Sequence, residues 1–339
     1  MCLTVTKVGI IGASGYTGLE LIKLVLMHPY FELRYVSTSQ GGEKLSTLHP
    51  SLLDVYDCEV KKADANEAAA SCDLVFLALP HKTAMAYVKE LMKTEVKVVD
   101  LSADYRLTQE RYEQNYCEHM DVDNIKHAVY GLPELFRDEI KQARLVANPG
   151  CYPTSAILGI LPFVNAIKEG SDIIVDAKSG VSGAGKKLSE STHFVNINDN
   201  MYAYAPLSHR HGPEIYEKLS FKTDKNFSVN FVPHLVPITR GMLSSVYLSV
   251  EGDIDALAVL SEYYKDEPLV RVRTEPVDMK SVAGTNFCDI YVKQSGSLLF
   301  ISSAIDNLLR GASSQALANA NLMCGYDEVC GLPTLAYVP

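Results

Sequence analysis

The chain has 339 residues, 47% of them hydrophobic, and sets 31 Lys and Arg against 41 Asp and Glu for a formal charge of −10. That length calls for two domains rather than one core, and an acidic chain with no basic cluster argues against nucleic acid as a partner. No apolar run approaches the roughly 18 residues of a membrane span, and residues 1–8 lack the length and cleavage site of a signal peptide. The cysteines, at 2, 58, 72, 117, 151, 288, 324 and 330, form no C-x-x-C pair and no zinc-finger spacing with histidine. They indicate a reducing cytoplasm, no disulfide framework and no metal site.

Residues 5–12 read as a first strand and run straight into Gly12-Ala-Ser14-Gly15-Tyr16-Thr17-Gly18, with an apolar helix over 19–26. A G-x-x-G-x-x-G between strand and helix is the context of a dinucleotide fingerprint: the glycines allow a tight turn and bring a pyrophosphate to the helix N-terminus. The second strand, 32–36, ends in Ser37, Thr38 and Ser39, with Lys44 beyond, where an NAD enzyme usually places a carboxylate for the ribose. Hydroxyls donate to a 2′-phosphate that a carboxylate would repel, so the expected cofactor is NADP. A buried parallel strand over 73–79 places Leu79 and Pro80 on the cofactor side, and His81 reads as a loop histidine without a chemical task. The strand 97–101 is followed by Ser102 and Arg106, candidates to hold a substrate anion beyond a strand end. Arg106 is equally placed to pair with Asp104. The segment 130–134, Tyr-Gly-Leu-Pro-Glu, is a turn with no legible chemistry. Alternating short apolar strands and helices through residue 147 predict a doubly wound parallel sheet.

The centre of the sequence is Asn148-Pro-Gly-Cys151-Tyr-Pro-Thr154, where a short strand hands over to an apolar helix. A cysteine at a helix start meets unpaired N–H groups and the positive end of the dipole, both of which favour the nucleophilic thiolate. Beyond it, a strand at 172–178 leads into a loop over 179–187 with Ser182, Gly183 and Lys186. This loop suits a phosphate but lacks the P-loop spacing. His209, His211 and Glu214 follow within six residues. With no evident third ligand for a metal, they read as acid–base groups serving Cys151, His209 being oriented by Glu214 and His211 standing as the alternative. Strands at 228–232, 244–250, 286–292 and 297–302, a helix at 255–265 and a long helix at 307–323 predict an α+β second half.

Six of these stretches, 12–18, 100–106, 130–134, 148–154, 179–185 and 209–214, jointly resemble the N-acetyl-gamma-glutamyl-phosphate reductases of arginine biosynthesis, relatives of the aspartate-semialdehyde and glyceraldehyde-3-phosphate dehydrogenases. The resemblance spans nearly the whole chain. It implies an α/β enzyme with a Rossmann-type NADP-binding domain over 1–150 and 308–339. It also implies an α+β catalytic and dimerisation domain with a mixed, mainly antiparallel sheet over 151–307. The implied reaction is NADPH-dependent reduction of a small-molecule acyl phosphate to an aldehyde, with Cys151 as nucleophile and His209 as acid–base group. Asn307 and Gly311 are implied to lie near the nicotinamide, and a homodimer or homotetramer is the implied assembly. Arg106, Ser102, Asn148, Lys186 and His211 are expected toward the substrate, Lys186 standing where an arginine is common. Two other enzyme readings are an aspartate-semialdehyde dehydrogenase and a related reductase of lysine biosynthesis. The first is disfavoured because residues 237–242, Pro-Ile-Thr-Arg-Gly-Met, lack the histidine those enzymes carry. An NADP-sensing regulator would have no reason to keep Cys151 beside the histidines.

Overall fold

The protein is described by a computed structural model over residues 5–337. Residues 1–4, which precede the expected first strand, lie outside the described residues, as do 338 and 339. The chain divides into two compact units. The first runs to Pro149 and takes in Ala312–Leu332; the second holds Gly150–Gly311 and the described residues from Pro333 onward.

The first unit is built on seven strands: β1 (Thr6–Ile11), β2 (Phe31–Thr38), β3 (Lys61–Lys62), β4 (Leu74–Leu77), β5 (Lys97–Asp100), β6 (Ala128–Tyr130) and β7 (Leu145–Ala147). They lie in the order β3-β2-β1-β4-β5-β7-β6, and every neighbouring pair is parallel. All four residues of β4 are fully buried, as a central strand covered on both faces must be, which is why its sequence is an unbroken apolar run. The chain order reverses between β1 and β4, so the crevice for a ligand opens at the C-terminal ends of these two strands. The short strands β3 and β6 carry too little pattern to be seen in the sequence.

The helix Ser314–Cys324 belongs to this unit and is buried along almost its whole length. The nitrogens of its polar amides donate to main chain. Gln315 Nε2 and Asn319 Nδ2 both donate to Gly131 O, at 3.0 and 2.9 Å, and Asn321 Nδ2 donates to Cys330 O at 2.8 Å. The turn at 130–134, mute in the sequence, is therefore the seat of this helix. Each such bond contributes about 0.5–1.5 kcal/mol net, and an unmade one in this setting would cost more.

The second unit carries β8 (Ser171–Gly180), β9 (Tyr202–Ala203), β10 (Phe227–Val236), β11 (Met242–Ser249), β12 (Val270–Val272), β13 (Cys288–Ser295) and β14 (Leu298–Ile305). Their order is β12-β13-β14-β11-β8-β10-β9; β8 with β10 and β12 with β13 are parallel, and the remaining pairs are antiparallel. Helices Cys151–Ile160, His211–Ser220 and Ala256–Tyr263 pack against β14 and β11, β10, and β13 respectively. Along β8, Ile173, Val175 and Ala177 are buried while Ile174, Asp176 and Lys178 alternate to the other face, the period of two of a half-covered sheet.

The long helix expected over 307–323 starts differently. Residues Leu309–Ser313 form a π-helical turn, Gly311 N donating to Asp306 O at 2.9 Å, before the α-helix begins at Ser314. The fully buried Asp306 carboxylate accepts from Leu308 N and Leu309 N, at 2.9 and 3.0 Å, and from Gly284 N at 2.8 Å. That carboxylate, also 3.1 Å from Arg240 Nε, caps the turn and widens its start.

Candidate active site

In the first unit the fingerprint forms the turn between β1 and the helix Tyr16–Met27, whose N-cap is Gly15. Gly12 holds φ at 98°, and a Cβ there would fall 2.3 Å from Ala78 O; one on Gly18 would fall 2.5 Å from Gly12 O. A Cβ on Gly15 would meet nothing nearer than Thr17 Oγ1 at 4.0 Å. Two glycines thus serve packing, and the third leaves an open approach to the start of a helix with no acidic residue in its first turn. Such a cradle fits the pyrophosphate of a dinucleotide. Ser14 and Tyr16 are exposed beside it, Leu79 lies against Gly12, and Pro80 is exposed.

The hydroxyls at the end of β2 are unequal. Ser37 is fully buried, and its carbonyl accepts from Gly12 N and Ala13 N, both at 3.0 Å. Thr38 Oγ1 accepts from Gly41 N at 3.0 Å, which leaves Ser39 as the exposed hydroxyl of the three.

Three residues expected at the substrate have other tasks in this unit. Ser102 is fully buried; its Oγ donates to Asp100 Oδ2 at 2.7 Å and accepts from Asp104 N at 3.0 Å. Burial, then the charge of Asp104, pushes the Asp100 carboxyl up to about 7. Arg106 is 5% exposed and donates to Asn148 O and Leu101 O, both at 2.7 Å. Asn148, 1% exposed, donates to Ala312 O at 3.1 Å and accepts from Asn319 Nδ2 at 3.0 Å. These side chains shape the turn after β7. His81, read as idle, accepts from Ala103 N at 2.9 Å and ties two strand-end loops together.

In the second unit Cys151 is the first residue of its helix, a half-buried reduced thiol. Pro153 sits in the first turn, where its missing N–H costs nothing. The N–H of Gly150 donates to Glu214 Oε1 at 3.0 Å, and Glu214 is 1% exposed. The other carboxylate oxygen lies 4.0 Å from His211 Nε2. Tyr152 packs edge-on to both histidines, with ring centroids 6.2 Å from His209 and 5.9 Å from His211. Its hydroxyl accepts from Tyr204 Oη and donates to His234 O, each at 3.1 Å. Cys151, Tyr152, His209, His211 and Glu214 are therefore one cluster.

Within it the carboxylate faces His211, not His209 as the sequence suggested. The cause is helical spacing: His211 and Glu214 are three apart on His211–Ser220 and share a face, whereas His209 precedes the helix. His209 Nδ1 instead accepts from His211 N at 3.2 Å. In the neutral ring this leaves the proton on Nε2. Burial, then the charge of Arg210, lowers the His209 pKa to about 4.

Asn307 and Ser182, expected at the cofactor, are joined within the second unit. Asn307 Nδ2 donates to Ser182 Oγ at 2.9 Å, while Asn307 Oδ1 accepts from Gly241 N at 2.8 Å. The loop after β8 is a short 3₁₀ turn, Val181–Ala184, with Gly183 and Lys186 exposed. Gly311 packs directly on Cys151: a Cβ there would lie 2.7 Å from Cys151 Cβ.

The profile of the semialdehyde dehydrogenase NAD-binding domain matches residues 7–143, and that of the semialdehyde dehydrogenase dimerisation domain matches residues 151–307. An N-acetyl-gamma-glutamyl-phosphate reductase of Sulfurimonas denitrificans is 64% identical over 99% of this chain and 100% of its own length. One from a Sulfurovum species is 59% identical over 98% of this chain and 99% of its own. The chain belongs to this reductase family. Among solved structures, aspartate semialdehyde dehydrogenase II from Vibrio cholerae has a TM-score of 0.73 at 15% identity, covering 94% of this chain and 98% of its own. The aspartate semialdehyde dehydrogenase with NADP from Candida albicans has a TM-score of 0.72 at 14% identity, with the same coverages. These two share the fold. The first unit is thus a nicotinamide-dinucleotide-binding domain, and the chain is an oxidoreductase. No described helix is long and apolar enough to cross a membrane.

The contact of Gly311 with Cys151 separates two roles for this glycine. Gly311→Ala should slow both turnover and alkylation of Cys151 by about tenfold or more, the scale on which misplacing a reacting group acts. The dissociation constant for NADPH should stay within about twofold of the parent, since the fingerprint is untouched. Unchanged alkylation with weakened NADPH binding would place Gly311 at the cofactor instead.

Proposed function

We propose that this chain reduces N-acetyl-gamma-glutamyl phosphate to N-acetylglutamate semialdehyde, releasing phosphate, with NADPH as reductant and a thioacyl intermediate on Cys151. The observation that carries the reading is the start of the Cys151 helix. There a half-buried thiol leads the helix, and a buried carboxylate ties its cap to a histidine-bearing helix.

The Cys151 thiolate attacks the acyl carbon; the C–S bond forms as the bond to the phosphate oxygen breaks, and phosphate leaves with that electron pair. The N–H groups of the helix start stabilise the tetrahedral oxyanion. Gly12, Ser14, Gly15, Tyr16, Thr17 and Gly18 would hold the pyrophosphate of the dinucleotide, with Leu79 and Pro80 beside it, and the bound cofactor would supply the hydride. The thiohemiacetal oxygen needs a proton held nearby until the aldehyde forms and the thiolate departs. We assign that proton to His211, because the Glu214 carboxylate stabilises its imidazolium form. His209, neutral well below pH 7, serves as an N–H donor to the oxyanion. Lys186, exposed after the 3₁₀ turn, is the remaining candidate for the substrate phosphate.

The NADP preference rests on Ser39 and the missing carboxylate at the end of β2. The assembly we propose is a homodimer through the uncovered face of the second sheet, where Ile174, Tyr247 and Leu298 are exposed around the Asp176–Lys178 and Asp176–His234 pairs. A second copy of that face offers the same apolar centre.

Cys151→Ala should abolish turnover and keep NADPH binding. The basic limb of kcat/KM, where the proton donor loses its proton as pH rises, should persist in His209→Asn, whose parent imidazole is uncharged above about pH 4, and vanish in His211→Asn. The reverse pattern returns the acid–base role to His209. For the cofactor, Ser39→Asp should lower kcat/KM with NADPH relative to NADH by about tenfold or more, the worth of one charge-assisted hydrogen bond; an unchanged ratio removes Ser39 from the phosphate. For the assembly, Tyr247→Asp should halve the mass seen by light scattering, and an unchanged mass moves the interface elsewhere.

A further inference from the structure

His49 is a buried histidine that takes no part in the mechanism. It is 6% exposed and lies between two short turns, Leu45–Leu48 and Pro50–Leu52. The proline that follows it disfavours helical backbone at His49, so the chain bends there, with φ at −132° and ψ at 88°. The bend is fixed from both sides: His49 N donates to Leu45 O at 2.8 Å, and Leu52 N donates to His49 O at 2.9 Å. The buried side chains of Leu45 and Leu52 anchor the two turns.

From this bend the imidazole reaches the fingerprint, with His49 Nε2 2.7 Å from Ala13 O. A carbonyl only accepts, so Nε2 carries the proton in this contact. The Ala13 carbonyl and the Ser14 N–H share one planar trans peptide and point in opposite directions. Holding the carbonyl at His49 therefore fixes the N–H on the far side of the plane. The preceding peptides are held as well, because Gly12 N and Ala13 N both donate to Ser37 O at 3.0 Å. An anion at a glycine-rich turn is recognised by aligned N–H groups, and a single flipped peptide would present a carbonyl in their place.

We propose that His49 is a positioning residue for the cofactor: its hydrogen bond to Ala13 O keeps the fingerprint turn in the form that accepts a dinucleotide pyrophosphate. The inference rests on the reading of residues 12–18 as the dinucleotide site. It assigns His49 no contact with the substrate and no proton transfer.

The test uses the full chain, with the dissociation constant of NADPH measured by titration of nucleotide fluorescence, beside kcat, KM and the melting temperature. His49→Ala should weaken NADPH binding about three- to tenfold, the range of one net hydrogen bond, with kcat at saturating NADPH within about twofold. His49→Gln, whose side-chain amide also donates, should recover most of the loss even if it melts at the same temperature as His49→Ala. Binding within about twofold of the parent in His49→Ala overturns the proposal, since one net hydrogen bond is worth more than that. So does an equal loss in both variants that tracks the melting temperature. Gly15→Leu separates this from the underlying reading. If it leaves NADPH binding intact, the site itself is wrong and the proposal falls with it. If it abolishes binding while His49→Ala does not weaken it, only the role of His49 fails.

Discussion

The buried carboxylate of Glu214 is the constraint on which the chemistry of the second unit depends. It accepts from the N–H of Gly150, the residue before Cys151, and lies beside the imidazole of His211, so one side chain fixes the helix that carries the thiol relative to the helix that carries His211. A carboxylate at 1% exposure is costly unless its oxygens are satisfied. The backbone N–H bonds one oxygen, and the imidazole 4.0 Å from the other offers a charge partner, only when both helices are in place. The same requirement that makes the group expensive makes the arrangement specific. A neutral side chain of equal size would close the same gap without favouring a charged imidazole.

Tyr152 completes the constraint from the other direction. Burial raises its pKa, and burial pushes the Tyr204 phenol up to about 12, so both keep their protons through the physiological range. The chain of hydroxyls from Tyr204 to Tyr152 to the carbonyl of His234 therefore has one direction of donation. It locks the ring against which both histidines stand. Two imidazoles on one aromatic wall, with centroids 4.8 Å apart, do not hold equal charge. Both are half-buried, but His209 stands away from the carboxylate and His211 stands beside it.

The sequence disclosed what depends on local pattern. The apolar run of β4, the glycines at 12, 15 and 18, and the proline-flanked Cys151 at a helix start each follow from periodicity or backbone chemistry within a few residues. It was less informative where a role is decided by contacts distant in sequence. Arg106, Ser102 and Asn148 have the right chemistry for an anion, yet each is buried against main-chain or side-chain partners of its own unit, and no spacing could reveal that. The assignment of Glu214 to His209 failed for a legible reason, since the three-residue spacing to His211 on one helix was present in the sequence. His49 had no such signal. A lone histidine before a proline looks like any loop residue until the fold brings Ala13 to it, 36 positions away.

Two of the three points where the chain crosses between units explain the small residues beside Cys151. These two fall after Pro149 and after Gly311, so Gly150 and Gly311 are each the first or last residue on the second unit's side; the third follows Leu332. In that unit the backbone of Gly311 abuts Cys151 too closely for any side chain, and the π-helical turn around it is held open by the Asp306 carboxylate beneath. In the first unit the Asn148 amide holds Ala312 O. Gly311 thus bears directly on the Cβ and Cα of Cys151, with no flexible side chain in between. A packed backbone contact yields less than a rotamer does. That holds the Cys151 thiol in one place, and it accounts for glycine at 311 independently of any ligand.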